Sequence, residues 1–168
     1  MWRRRSRPRS AKSGPIQSAS ARGKDGSRLS AVLDLFSRAI VGWSMSAIQD
    51  EALVSQALLM ALVSRQPPAG LMHHSDRGSQ YTSEGYQQLL ASWGIQVSMS
   101  RTGNCYDNAV MERFFGTLKG ECTSRYVFET HEQARSIVFE YMTCFYNRVR
   151  RHSSLDYLSP VQFELLKS

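Results

Sequence analysis

Asp76 and Glu112 are the two acids whose surroundings suit chemistry on a charged substrate. Asp76 sits in HHSDRGSQY (73–81), directly after GLMHHS (70–75), an apolar run that reads as a strand. A carboxylate at the C-terminal end of a strand, with Gly78 close behind it, is well placed at the crevice of an open α/β sheet. Glu112 lies within GNCYDNAVMERFFGTLKGE (103–121), where Val110, Phe114 and Leu118 recur at helical spacing. At about 100° per residue, Asn108, Glu112, Gly116 and Lys119 share one arc opposite that apolar side. A mid-helix glycine costs about 1 kcal/mol, so Gly116 leaves room for something large to approach the arc. Each acid also has a plainer reading on its own: a turn Asp before a Gly, and a solvated helix face.

Two further groups carry weaker signals. Arg148, Arg150, Arg151 and His152 follow a predicted helix, where they could hold phosphate or simply complement the helix C-terminus. His73 and His74 have no Cys or His partners at zinc-site spacing, so one is expected to pack and the other to line the cleft. Cys105, Cys122 and Cys144 form no CxxC pair and read as small apolar residues in a reducing compartment.

The elements that must position these residues can be read from residue 29 onward. LSAVLDLF (29–36) and AIVGWSMS (39–46) read as neighbouring antiparallel strands. Asp50 caps a helix over 52–63 that is apolar nearly all round and is stopped by Pro67 and Pro68. Ser83 starts an amphipathic helix carrying Tyr86, Leu89, Leu90 and Trp93, and IQVS (95–98) reads as another strand. Residues 101–104 form a loop, and Asp107 is expected to cap the helix of Glu112. Thr130 with Gln133 makes a capping box for a helix to about Arg148, and Ser159, Pro160 and Gln162 start the last one. Strands with helices between most of the later ones argue an α/β domain.

Composition narrows the class further. The chain has 168 residues, 42% hydrophobic and 21% charged, as expected of one globular domain. No apolar run approaches the ~18 residues of a membrane span, and a cytoplasmic protein is expected. Residues 1–28 carry nine basic residues and one acid, whereas 29–168 carry 12 basic and 13 acidic residues. All the excess charge, and with it the pI near 9.7, therefore belongs to an Arg/Ser/Gly-rich segment with no apolar periodicity. Such a segment is expected to be disordered, and a basic tail points to nucleic acid.

Four blocks, in order, carry a family resemblance: LSAVLDLFSRAIVGW, HHSDRGSQYTS, GNCYDNAVMERFFGTLKGE and YNRVRRHSSLDYLSPVQFE (146–164). They resemble the integrase core of bacterial insertion-sequence transposases, specifically the second-frame product of two-frame elements, related to retroviral integrases. The resemblance implies a ribonuclease-H-like mixed sheet flanked by helices, and DNA transposition by cleavage and strand transfer at phosphodiesters. It places the second Asp and the Glu of a DDE triad at Asp76 and Glu112, which would bind Mg²⁺ or Mn²⁺. Such chemistry uses two ions ~3.5–4 Å apart, held by carboxylate oxygens. Asn108, Lys119, Arg148, Arg150 and Arg151 are the expected DNA contacts. The implied partners are transposon ends and target DNA, further copies of the chain, and a helix-turn-helix polypeptide from the companion frame, with nucleoid association when bound to DNA.

The chain departs from the family pattern at the first triad Asp, which belongs on the first strand, upstream of LDLFSR. Residues 12–20 read KSGPIQSAS, with no acid and no strand pattern. Asp34 is the nearest substitute, but it occupies the second strand, where a structural strand-end role, paired with Arg38, is the plainer reading. The expected organisation is therefore a non-family segment over 1–28 joined to a catalytic core over 29–168, with the first strand missing or degenerate. Two other readings stay open: a remnant that at most binds DNA or partner subunits, and a free-standing ribonuclease-H-like nuclease.

Overall fold

The computed structural model describes residues 14–23, 26–99 and 105–167, with side chains from 109 onward in the last stretch. Five strands form one mixed sheet: β1 (Ile16–Arg22), β2 (Arg28–Asp34), β3 (Ile40–Ser46), β4 (Met72–Ser75) and β5 (Gln96–Met99). Their spatial order is β3-β2-β1-β4-β5. The β1-β2-β3 meander is antiparallel, while β4 and β5 run parallel to β1.

Helices cover both faces. On one lie α1 (Glu51–Arg65), the short α2 (Ser79–Thr82) and α3 (Glu84–Ser92); on the other lie α4 (Cys105–Glu121) and α5 (His131–Glu140). α5 continues into a π-helical turn, Tyr141–Tyr146, and α6 (Pro160–Lys167) ends the chain. Strand alternation divides the core accordingly. Ile16, Val32 and Val41 join Val54, Leu58, Leu62, Tyr86 and Leu90 on the first face. Leu29, Ala31 and Leu33 meet Met111, Phe114, Leu118, Val138 and Met142 on the second. Helix α1 sits very close to β3, because a Cβ at Gly42 would overlap the Ala57 carbonyl and lie 2.7 Å from Ala61 N.

Most local signals act as expected. Asp50 accepts a hydrogen bond from Leu53 N at 2.9 Å, and Thr130 Oγ1 accepts one from Gln133 N at 3.1 Å. Ser159 Oγ accepts from Gln162 N, and Gln162 Oε1 accepts from Ser159 N. Two local readings differ. Ser83 precedes α3 but turns its hydroxyl to the Gln80 carbonyl, and α4 starts at Cys105, which puts Asp107 inside it. The expected loop at 101–104 lies outside the described residues.

The main correction concerns the first strand. Within the segment expected to lack structure, Ile16–Arg22 forms β1, the central strand of the sheet. It pairs with β2 along its whole length, from Ile16–Asp34 to Arg22–Arg28. The reason is tertiary: a strand flanked on both sides satisfies its backbone groups whatever its propensity. Small residues at 18–21 suit a site squeezed between two helix layers, and Ile16, 3% exposed, anchors the strand. Residues 1–13 are outside the described structure.

Candidate active site

On β1 the side chains alternate between the two faces. Ile16 packs with the α1 face and Ala19 with the α4 face. Ser18 Oγ, also on the α1 face, hydrogen-bonds His73 Nε2 at 2.8 Å, and Tyr86 OH lies 3.0 Å from the same nitrogen. His73 is fully buried, and burial pushes its pKa down to about 3. His74, its half-buried neighbour, belongs to the other face. One histidine packs, as expected.

The acids fall where the sequence put them. Asp76 follows the last residue of β4 and is half-buried, its Oδ1 accepting a hydrogen bond from Gly78 N at 2.8 Å. A Cβ at Gly78 would lie 2.7 Å from Gln80 Nε2 and 2.9 Å from that oxygen, so a side chain there would push the Gln80 amide and the carboxylate aside. Glu112 is exposed on α4, between Met111 and Phe114, which bury the opposite side. Gly116 and Lys119 share its exposed arc. Asn108 begins this arc, but its side chain lies outside the described residues. A Cβ at Gly116 would meet nothing within 4 Å, so no group of the chain itself requires the glycine. Gly116→Ala is expected to raise the unfolding free energy by about 1 kcal/mol, measurable by urea denaturation.

Asp34 is not a member of this site. Its Oδ1 accepts hydrogen bonds from Phe36 N (2.8 Å) and Ser37 N (3.2 Å), closing the β2–β3 turn. It forms this turn cap and no ion pair with Arg38. Burial raises its pKa against the opposing effect of those bonds.

The β1–β4 ladder shows which β1 residues neighbour β4. Ile16 is level with His73, and Gln17 with His74, the last pair of the ladder. Ala19 lies two residues further along β1, on the face covered by α4. Gln17 and Ala21 flank Ala19 on that face, and no acid stands among them. Among the described residues, no three His, Cys, Asp or Glu side chains gather closely enough to hold a metal ion. The donor set of the described residues therefore does not by itself make a two-ion cage.

The Arg-rich block divides into scaffold and free charge. Asn147 bonds both the N–H and the C=O of Ile40, each at 2.9 Å, clamping the block to β3. Arg150 forks onto Glu121 at 2.9–3.0 Å, and Tyr141 OH donates to the same carboxylate at 2.7 Å. Burial raises the Glu121 pKa, but these two donors outweigh it and hold the carboxyl low. Arg65 and Glu164 tie α6 to α1 at 2.6 and 3.0 Å. Arg148 and Arg151 are exposed. Of the cysteines, Cys122 is buried as expected and Cys144 is exposed; the side chain of Cys105 lies outside the described residues.

Two family models, each described as an integrase core domain, match residues 15–105 and 93–160. The chain belongs to the integrase core family. The first match begins just before β1, so the family pattern includes the central strand. Among relatives of this integrase core, the transposase of insertion sequence IS904 from Lactococcus lactis is 49% identical over 146 residues, covering 86% of the chain and 58% of that protein. An uncharacterized 31 kDa protein of insertion element IS600 from Shigella sonnei is 49% identical over 135 residues, covering 80% of the chain and 50% of that protein. The chain spans about half the length of the curated relatives it matches. The catalytic core domain of HTLV-2 integrase, solved with magnesium, superimposes with a TM-score of 0.67 at 17% identity, covering 90% of this chain and 96% of that one. The ribonuclease-H-like fold of this integrase core is thereby established. Among the described residues no helix is long and apolar enough to cross a membrane.

Proposed function

We propose that this chain is the DNA-processing core of an insertion-sequence transposase whose acidic centre is incomplete. Asp76 and Glu112 are its two carboxylates, and Ala19 occupies the position of the third. The observation that supports this reading is β1 itself: beyond the Ile16–His73 and Gln17–His74 pairs its next residue on the α4 face is Ala19, and that face of β1 carries no acid. The Mg²⁺ or Mn²⁺ dependence implied by the resemblance needs a carboxylate that the described β1 does not carry. DNA is the substrate class. Lys119, on the arc of Glu112, together with exposed Arg148 and Arg151, would meet its phosphates, while Arg150 serves chiefly to hold Glu121. Synapsis of two transposon ends calls for more than one copy, and a helix-turn-helix companion polypeptide would read the end sequences. The site of action is the bacterial cytoplasm, at the nucleoid when DNA is bound.

The test uses purified chain, pre-cut ends of its own element and a target duplex, with Mg²⁺ or Mn²⁺. We expect duplex binding at low salt and no detectable strand transfer. Absence of any duplex binding would sink the DNA reading. Strand transfer that disappears in Glu112→Gln would show that the centre is complete and that the assignment of Ala19 is wrong.

A further inference from the structure

A cleft of about 320 Å³ opens on the α4 side, between the β2–β3 turn, α4 and the segment after Asn147. Arg38, Arg113 and Arg151 line it together with His152, Ser153 and Ser154. Its floor is aromatic, with Phe114 and Tyr146 packed edge-to-face at 5.2 Å. Arg150 also borders it, but its guanidinium is engaged by Glu121. Among the described residues the other three guanidiniums make no ion pair, and no acid lines the cleft.

The concentration of charge is felt within the cleft. Burial lowers the pKa of His152, and the positive charges of Arg150 and Arg38 push it further, to about 4, against the weaker opposing effect of Glu121. The backbone adds a sign of construction. Arg38 holds a left-handed φ of 62°, as does Tyr157 on the lip at 61°. Non-glycine residues persist in that region only where their surroundings enforce it. Three guanidiniums that make no ion pair among the described residues line one opening, and the guanidinium fork suits the oxygens of a phosphate.

We propose that this cleft binds one backbone phosphate of DNA through Arg38, Arg113 and Arg151, a reading that rests on the DNA-processing role above. Arg150, locked to Glu121, is a positioning residue that holds the wall beside Arg151. The site is separate from the arc of Glu112 and Lys119, so its contact adds to theirs.

The test measures anisotropy of a labelled duplex across a salt series, for the wild-type chain, the triple variant Arg38→Gln/Arg113→Gln/Arg151→Gln, and Lys119→Gln. Each phosphate contact contributes about 0.9 to the slope of log K against log salt. The triple variant should bind about tenfold more weakly, with its slope reduced by about one. A triple variant that matches wild type in affinity and slope overturns the proposal. A second arm compares unfolding midpoints in inorganic phosphate and in chloride at equal ionic strength; phosphate raises both midpoints by its general exclusion from the protein surface, and should raise the wild-type midpoint by more than that of the triple variant. If the wild-type chain binds no duplex, the DNA role fails and this arm alone judges the cleft, with equal rises in the two midpoints overturning it. Should the triple variant unfold more easily in chloride, Arg113→Gln alone, at an exposed helix position, is read instead.

Discussion

Ala19→Asp is expected to create a divalent-cation site that the described residues of the wild-type chain do not form. The substitution adds a carboxylate on the face that α4 covers, two residues beyond the Gln17–His74 pair, so that the proposed two acids become three. Hard cations favour several carboxylate oxygens in one place, so Mn²⁺ should raise the unfolding midpoint of Ala19→Asp and leave wild type unmoved. Ala19→Asn is the control for shape without charge, and Gln17→Glu, two residues earlier on the same face, is the control for position. The gain in strand transfer should be large. A loss of ~4 kcal/mol in transition-state stabilisation corresponds to about a thousandfold in rate, and recovering part of it would lift the product above background. Without Mn²⁺ the variant should be less stable than wild type, because a half-buried carboxylate replaces a methyl group that packs against Leu33 and its neighbours. A Mn²⁺ response from Gln17→Glu and none from Ala19→Asp would place the missing ligand elsewhere on β1.

Acid should weaken this fold before its carboxylates begin to titrate. His73 ordinarily binds a proton near pH 6.5, but in the fold burial, and to a lesser degree the neighbouring His74, hold it down to about 3. Between those values the unfolded chain binds a proton that the folded chain refuses. The contribution is complete above pH 6.5 and shrinks as pH falls, by up to about 1.4 kcal/mol per unit. From pH 6 to pH 4 the loss from His73 alone is about 2–3 kcal/mol, a large share of the ~5–15 kcal/mol that stabilises a domain. His152, lowered to about 4 by burial and by Arg150 and Arg38, acts in the same direction, more weakly because its ring is half-exposed. Glu121, held low, adds a loss at the acid end, and Asp34, held high, opposes it. Urea unfolding at pH 6, 5 and 4 checks this, and an unfolding free energy independent of pH across that range would refute it. His73→Gln should flatten the profile.

How far the fold was legible depended on where each signal resided. The helix starting at Asp50, the helix of Thr130 and Gln133, and the strands after residue 28 follow from their own residues, since caps and alternating apolar positions act locally. β1 did not, because IQSASAR contains one large apolar side chain and is held by its two neighbours. Asp76 and Glu112 were legible as positions, one after a strand and one on a polar arc. The phosphate cleft was not, because Arg38, Arg113 and Arg151 come from three distant segments and each looks like an ordinary surface arginine. Arg150 read as a phosphate ligand alongside Arg148 and Arg151 until the fold brought Glu121 beside it.

The clamp of Asn147 on Ile40 also sets a timetable for synthesis. β3 is an outer strand of the sheet, and the amide of Asn147 occupies the backbone donor and acceptor of Ile40 across 107 residues of sequence. A ribosome adding about 5–20 residues per second needs roughly 5–20 s to deliver the clamp after the strand has emerged. Throughout that interval the nascent β1-β2-β3 meander presents an open rim, the kind of template that recruits strands from other chains. Late arrival makes the Arg-rich block a latch on the first residue of that rim, fastened only once most of the chain has been made.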